Sequence, residues 1–321
     1  MKGTYVHERS RRAAAGLVGA LTLGALAACG GSARSPEPRG ADVAGVARVP
    51  VAGCDAPSVI AHRGETGDGR ALPENSAEAE LAAAGEGVTY LNLDVRWTSD
   101  GVPVALHDPT VDRTTSEQTP QTEVTSLTAE QYTALNERSY AGDTGRGEII
   151  TTGHPQTLAR ILAAVARTGR PVIVQMEGDP YRLGGRPSEA FASLARVVEH
   201  AADGTHVIVA GWTLADLAAF HADDPHTPLA YLFETIGAHG YPTGPQLTAV
   251  GAHILYIDFR GVTAPLVAHW HRQGLKVWAW TPASPVEWRR LRADGVDAIA
   301  TDRAQAYLAW AAPTRPCDAQ Y

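Results

Sequence analysis

The sequence predicts an α/β fold, a parallel (β/α)8 barrel carrying a hairpin on its rim and an insertion after that hairpin. Three observations lead there. Short apolar runs alternate with longer Ala- and Leu-rich helical stretches along most of the chain. Eight of these runs can be placed as strands. About 270 residues follow Gly53, the usual size of one such barrel. An open doubly wound sheet is the alternative, disfavoured because no Gly-rich phosphate turn follows the first strand.

Residues 1–28 read as a targeting segment outside the fold. Lys2, Arg9, Arg11 and Arg12 make a positive start, Ala13 to Ala28 an apolar run, and Leu26-Ala27-Ala28-Cys29 a small-residue cleavage site ending in cysteine. That ending resembles the lipobox of bacterial lipoproteins, which implies cleavage before Cys29 and lipidation of its thiol. A plain secretory signal or an uncleaved anchor is the alternative. Residues 29–52, rich in Gly, Ala, Pro and Arg without periodicity, read as a flexible tether, leaving 53–321 as the barrel. The expected location is extracytoplasmic, on the cell membrane through the lipid rather than a spanning helix. Cys54 and Cys317 then remain as an even pair in an oxidising compartment. They flank the fold and are expected to meet at the barrel bottom as a disulfide. Loss of residues 1–28 removes four Lys/Arg and one Glu, leaving 23 basic against 34 acidic residues and a formal charge of −11. A surface that acidic argues against nucleic acid as a partner. A monomer acting on a small molecule is expected.

The strands expected in order are 58–62, 89–95, 171–177, 206–210, 229–233, 253–258, 276–281 and 297–301. Helical segments at 76–85, 157–168, 188–202, 213–221, 263–273 and 285–293 lie between them, and 303–311 follows the last. One piece breaks the alternation. Only Ser99-Asp100-Gly101 separates the second strand from an apolar run at 102–107, whereas a parallel crossover needs a dozen or more residues. The second run therefore turns back antiparallel, placing Leu106 opposite Asp94 and carrying His107 toward Asn92. Residues 109–156 form the insertion, polar and Thr-rich, placed as a lid.

Strand parity sorts the side chains. Leu91, Leu93, Val95 and Trp97 share one face, and Asn92 and Asp94 the other. Likewise Val172, Val174 and Met176 point outward, Gln175 and Glu177 inward. His62 and Arg63 end the first strand. Since active sites of such barrels form at the C-terminal strand ends, two histidines, an arginine and several acids or amides converge on one mouth.

Five stretches, "AHRGETGDGRALPENS" (61–76), "LDVRWTSDGVPVALHDPTVDRTT" (93–115), "GHPQTLARIL" (153–162), "GLKVWAWT" (274–281) and "GVDAIATDR" (295–303), resemble the ordered blocks of the glycerophosphodiester phosphodiesterase family. That pattern runs His-Arg-Gly, Pro-Glu-Asn-Thr, Glu-x-Asp, Asp-Gly, His-Asp, Glu-x-Lys, a Trp-Thr strand and a Thr-Asp end. The resemblance implies a barrel that hydrolyses glycerophosphodiesters to an alcohol and glycerol 3-phosphate. It implies His62 and His107 as general acid and base, Arg63 as the phosphate grip, and Asp94 as one of three carboxylates on a divalent cation, Ca2+ or Mg2+. Glu74 and Trp280 would line the glycerol pocket.

The departures bear on the metal. Where the family has its first and second metal Glu, this chain has Asn92 and Gln175, and where it has Lys, Glu177. An amide oxygen still coordinates a hard cation but brings no charge. The formal charge over the four positions is nonetheless −2 in both patterns. Two readings stay open: a relocated, weakened cation site on Asp94 and Glu177 with Asn92 and Gln175 as neutral ligands, or a decayed site in a non-catalytic, phosphodiester-binding lipoprotein. A phospholipase-D-like activity would need an apolar membrane-facing loop, for which 109–156 offers no candidate. Of the remaining residues, Ser76 reads as a helix N-cap, and His269 and His271, two apart on a helix, as surface residues. Asp108 reads as closing the turn with Thr110 or as orienting His107. Thr301 and Asp302 read as helix capping or ligand contact, and Asp258, Arg260 and Glu234 lie near strand ends.

Overall fold

A computed structural model describes residues 56–65, 72–116, 121–140, 149–151, 153–178, 187–201, 204–234 and 240–312. The targeting segment, the tether, Cys29, Cys54 and Cys317 lie outside these residues. Eight parallel strands close into a barrel: β1 (Ser58–Ala61), β2 (Tyr90–Trp97), β6 (Val172–Met176), β7 (Val207–Gly211), β8 (Leu229–Phe233), β9 (Ala252–Asp258), β10 (Lys276–Trp280) and β11 (Ala298–Thr301). Closure is made by β1, which pairs with β11 on one side (Ala61 to Thr301) and with β2 on the other (Ile60 to Tyr90). Around them run α1 (Ala77–Glu86), α3 (Leu158–Val165), α4 (Pro187–Ala201), α5 (Leu214–Asp223), α6 (Gly244–Ala249), α7 (Ala264–His271), α8 (Pro285–Asp294) and α9 (Ala304–Ala311). Among the described residues no helix is long and apolar enough to cross a membrane.

The strand pattern fills two layers. Odd positions of β2 (Leu91, Leu93, Val95, Trp97) and even positions of β6 (Val172, Val174, Met176) pack outward with Leu162, Val165, Phe191 and Leu194 of the helices. Inside the barrel sit Ile60, Tyr90, Ile173, Ile208, Leu232, Ile254, Tyr256 and Trp278. Trp278 lies between Tyr90 and Tyr256, its ring 5.1 and 5.8 Å from theirs, which plugs the lower barrel. Polar side chains therefore collect at the upper end. Helices start where a hydroxyl satisfies free N–H groups: Ser76, Thr157, Thr213, Thr243, Thr263 and Ser284 each accept from the third residue on.

The strands and the helices expected from sequence form, with ends moved by at most two residues, except that α3 gives way to a 3-10 turn at Ala166–Thr168. β3 (Pro103–Ala105) turns back on β2 as expected, with Leu106 N–H donating to Asp94 O at 3.0 Å. Its turn carries Gly101 at φ +77, which a side chain would resist. Two elements were not legible, the short α6 and the order within the insertion. There, α2 (Ala129–Thr133) and a β4–β5 ribbon (Arg138–Tyr140 with Ile149–Thr151) form. Val111, Val124 and Tyr132 join Val104 and Leu106 in a small separate core. The Tyr132 hydroxyl donates to Ala105 O at 2.8 Å. The insertion is thus seated on the rim hairpin.

Candidate active site

At the top of β1 the chain makes a 3-10 turn, His62–Gly64, in which Arg63 adopts φ 57, ψ 28 and Gly64 φ +78. The turn lies so close to α1 that a Cβ on Gly64 would stand 2.7 Å from Ala79 Cβ, which leaves glycine the residue that fits. This sharp reversal throws the Arg63 side chain back over the barrel mouth.

Each histidine is held by a carboxylate. His62 Nδ1 lies 2.5 Å from Asp302 Oδ1, and His107 Nδ1 lies 2.8 Å from Asp108 Oδ1. With Nδ1 so engaged, Nε2 of each ring is left for a substrate. Burial works to lower the His107 pKa. The Asp108 hydrogen bond and the charges of Asp94 and Glu177, opposed by Arg63, leave it raised above the ordinary histidine value. Asp108 thus orients the ring, one of the two roles open to it from the sequence. Asp302 contacts His62, while Thr301 Oγ1 accepts from the Arg303 N–H at 3.2 Å, in the turn before α9 and without capping that helix.

Arg63 Nε stands 2.8 Å from Asp94 Oδ2, and its Nη1 donates to Glu74 Oε1 at 3.4 Å. Asp94 is fully buried, and Asn75 holds it from two sides, its Nδ2 donating to Oδ2 at 3.1 Å and its Oδ1 accepting from the Asp94 N–H at 2.8 Å. Burial alone would raise the Asp94 pKa. Arg63, with His107 and His62, holds it below the usual carboxylate range. Arg113, from the insertion, grips Glu74 through both Nη atoms at 2.6 Å and Asp108 through Nε at 2.5 Å. It fastens the insertion to Glu74 and Asp108, a role that sequence reading missed.

On β6, the strand beside β2, where Gln175 pairs in register with Asp94, Gln175 Nε2 donates to Glu177 Oε1, to which Trp212 Nε1 also donates at 3.2 Å. Burial, then Asp94, push the Glu177 pKa up. Trp280 is half-buried, packs edge-on against Trp212 at 5.8 Å and donates to Tyr256 O at 3.2 Å. Elsewhere, His271 pairs with Asp297 at 2.8 Å and His269 accepts from Gln273, so neither joins the mouth. Asp258 is taken by Arg260, and Glu234 is exposed.

The test for a cation lies with the atoms left over. Asn92 Oδ1 and Nδ2, Asp94 Oδ1 and both oxygens of Glu80 are buried without a hydrogen-bond partner. A buried polar atom left so costs about 1–3 kcal/mol, and oxygens of this kind are what a hard cation binds. Among the described residues no three His, Cys, Asp or Glu side chains group as metal ligands. The unpartnered oxygens are a mix of carboxylate and amide, the donor types that a Ca2+ or Mg2+ ion takes.

Comparison with known proteins follows the same line. A sequence model of the Glycerophosphoryl diester phosphodiesterase family matches residues 62–306. The glycerophosphodiester phosphodiesterase of Caldanaerobacter subterraneus is 26% identical over 244 residues, covering 76% of this chain and 93% of its own. Glycerophosphodiester phosphodiesterase 1 of Rattus norvegicus is 48% identical over 82 residues, so the chain spans 23% of that relative's length. A phosphodiesterase structure from Oleispira antarctica, in complex with the product sn-glycerol-3-phosphate, superposes with a TM-score of 0.66 at 20% identity. It covers 79% of this chain and 96% of that one, and it shares the barrel.

Proposed function

The chain belongs to the glycerophosphoryl diester phosphodiesterase family, and from that premise we propose that it hydrolyses glycerophosphodiesters to an alcohol and glycerol 3-phosphate. The observation that carries the reading is the pair His62 and His107, each tied at Nδ1 to its own carboxylate, around the Arg63–Asp94 ion pair. Arg63 binds the phosphodiester, its planar fork suited to two phosphate oxygens. Because Asp108 favours protonated His107, that residue gives its proton to the departing alcohol oxygen. His62, oriented by Asp302, takes the proton from the attacking oxygen. One P–O bond forms, one breaks, and a water is consumed overall. Glu74 and Trp280 wall the glycerol moiety. Glycerol 3-phosphate is also the product held by the Oleispira antarctica phosphodiesterase.

A divalent cation, when bound, would offset phosphate charge and polarise a phosphoryl oxygen. Asp94 and Asn92 would hold it through their unpartnered oxygens, with Gln175 and Glu177, hydrogen-bonded to each other, on the adjoining strand. The amides at 92 and 175 favour a second reading, phosphodiester capture without turnover. Assay of glycerophosphocholine with Ca2+, Mg2+ or chelator separates the two. Release of choline supports hydrolysis. Binding of glycerophosphocholine with no release under any condition supports capture.

The acid role of His107 has a pH consequence. Its protonated form is needed, so kcat/KM falls as pH rises through its raised pKa. Asp108→Asn removes the partner that raises it, so this alkaline limb is expected to move to lower pH. A limb that stays in place would assign the acid elsewhere.

Attachment to the cell membrane through a lipid on Cys29 is part of the same proposal and rests on the sequence of residues 1–29. Cys29→Ala is expected to shift the protein from the membrane fraction to the soluble one. An unchanged membrane fraction would remove the lipid anchor from the reading.

A further inference from the structure

Glu80 lies on α1, fully buried, and both its carboxyl oxygens lack a hydrogen-bond partner. Its position follows from how the barrel closes. β1 stops at Ala61, whereas β2 continues to Trp97, so the β2 edge beyond the β1 end faces α1 and the loop before it. Asn75 shows that this seam is open to the mouth. Its Oδ1 takes the Asp94 N–H at the strand edge, and its Nδ2 reaches the Asp94 carboxylate. Glu80 holds the equivalent place one step earlier. Burial, with the Asp94 charge and against the pull of the Asn92 backbone amide, pushes its carboxyl well above the usual carboxylate range, so an ion that binds there displaces a proton.

An independent observation points to a ligand at this place. The Asn92 side chain is wholly buried, shares the inner strand face with Asp94, and has neither amide atom hydrogen-bonded. Asp94 Oδ1 is likewise left without a partner, although Oδ2 is fully engaged. Without an ion these oxygens stay unmatched; a divalent cation would satisfy them and balance the carboxylate charges.

We propose that Glu80 is a cation ligand, supplying from helix α1 the carboxylate that strand β2 lacks at Asn92, so that Glu80, Asp94 Oδ1 and Asn92 Oδ1 hold a divalent ion at the mouth. The proposal rests on the phosphodiesterase reading, and it alters the source of the negative charge, which comes from an adjacent helix. Free positions on the ion go to substrate phosphate oxygens or water.

Titration calorimetry of the purified protein with Ca2+ and with Mg2+, accompanied by melting curves with and without the ion, tests it. The wild type is expected to bind one ion and melt higher with it. Glu80→Gln, nearly isosteric with the acid, is expected to keep the metal-free melting temperature and lose affinity by about 100-fold or more. Adding Asn92→Glu to Glu80→Gln returns a carboxylate to the same space and is expected to restore binding, which a merely structural role for Glu80 would not do. Unchanged affinity in Glu80→Gln overturns the assignment of Glu80 and leaves the phosphodiesterase reading intact. No ion binding by the wild type, with choline still released from glycerophosphocholine in chelator, overturns the cation site while hydrolysis stands. Neither ion binding nor choline release overturns both.

Discussion

Replacement of His107 by alanine is expected to lower kcat for glycerophosphodiester hydrolysis by about 100- to 10,000-fold, the range that positioned proton transfer supplies. Removing the ring leaves the departing alkoxide without its proton donor. Arg63 still grips the phosphate, so KM changes far less than kcat. His62→Ala should give a loss of similar size, since the attacking oxygen then keeps its proton. The double variant should fall little below either single one, because the two rings act as a unit. Neither change disturbs packing, as both rings are partly exposed and their carboxylate partners, Asp302 and Asp108, face the mouth. Asp108 also retains Arg113. Steady-state kinetics with melting curves checks this, and wild-type kcat in either folded variant would end the acid–base assignment.

Arg63→Leu is expected to destabilise the fold by about 3–5 kcal/mol, besides abolishing phosphate binding. The guanidinium is the main charge that keeps Asp94 ionised, and Asp94 is fully buried. Without it the carboxylate must take up a proton or stay buried and unpaired, since Asn75 supplies hydrogen bonds but no charge. Glu74 suffers less, because Arg113 grips it through two further bonds. Arg63→Lys separates the two consequences. A lysine charge still balances Asp94, so most stability is kept, whereas the lost fork raises KM. Urea unfolding of both variants measures the first effect. A Leu variant as stable as the wild type would show that Asp94 does not depend on Arg63.

Much of the fold was legible because it is encoded at short range. Alternation along residues 90–97 assigns Asn92 and Asp94 to the inner face whatever the strand packs against, since successive side chains point to opposite faces. Ser99-Asp100-Gly101 is too short for anything but a hairpin, which fixes the register that returns His107 to the mouth. α6 was missed because a six-residue element starting Gly244-Pro245-Gln246 carries no readable apolar periodicity. The insertion was missed in detail because its small core forms against the hairpin, outside its own sequence.

The sequence by itself determined the barrel, the inward side chains and the presence of two histidines and an arginine at strand ends, all consequences of local period and order. Only the tertiary structure decided their partners. His62 and Asp302 are 240 residues apart and meet because each immediately follows its strand, and β1 and β11 pair with Ala61 beside Thr301. Arg113 meets Glu74 because the insertion folds back on the rim. Within "AEAELAAA", Glu78 and Glu80 look alike, yet Glu78 is exposed and Glu80 wholly buried. Which of them enters the protein depends on how α1 rotates against a seam that exists because β1 is shorter than β2, a relation between distant segments that no local pattern carries.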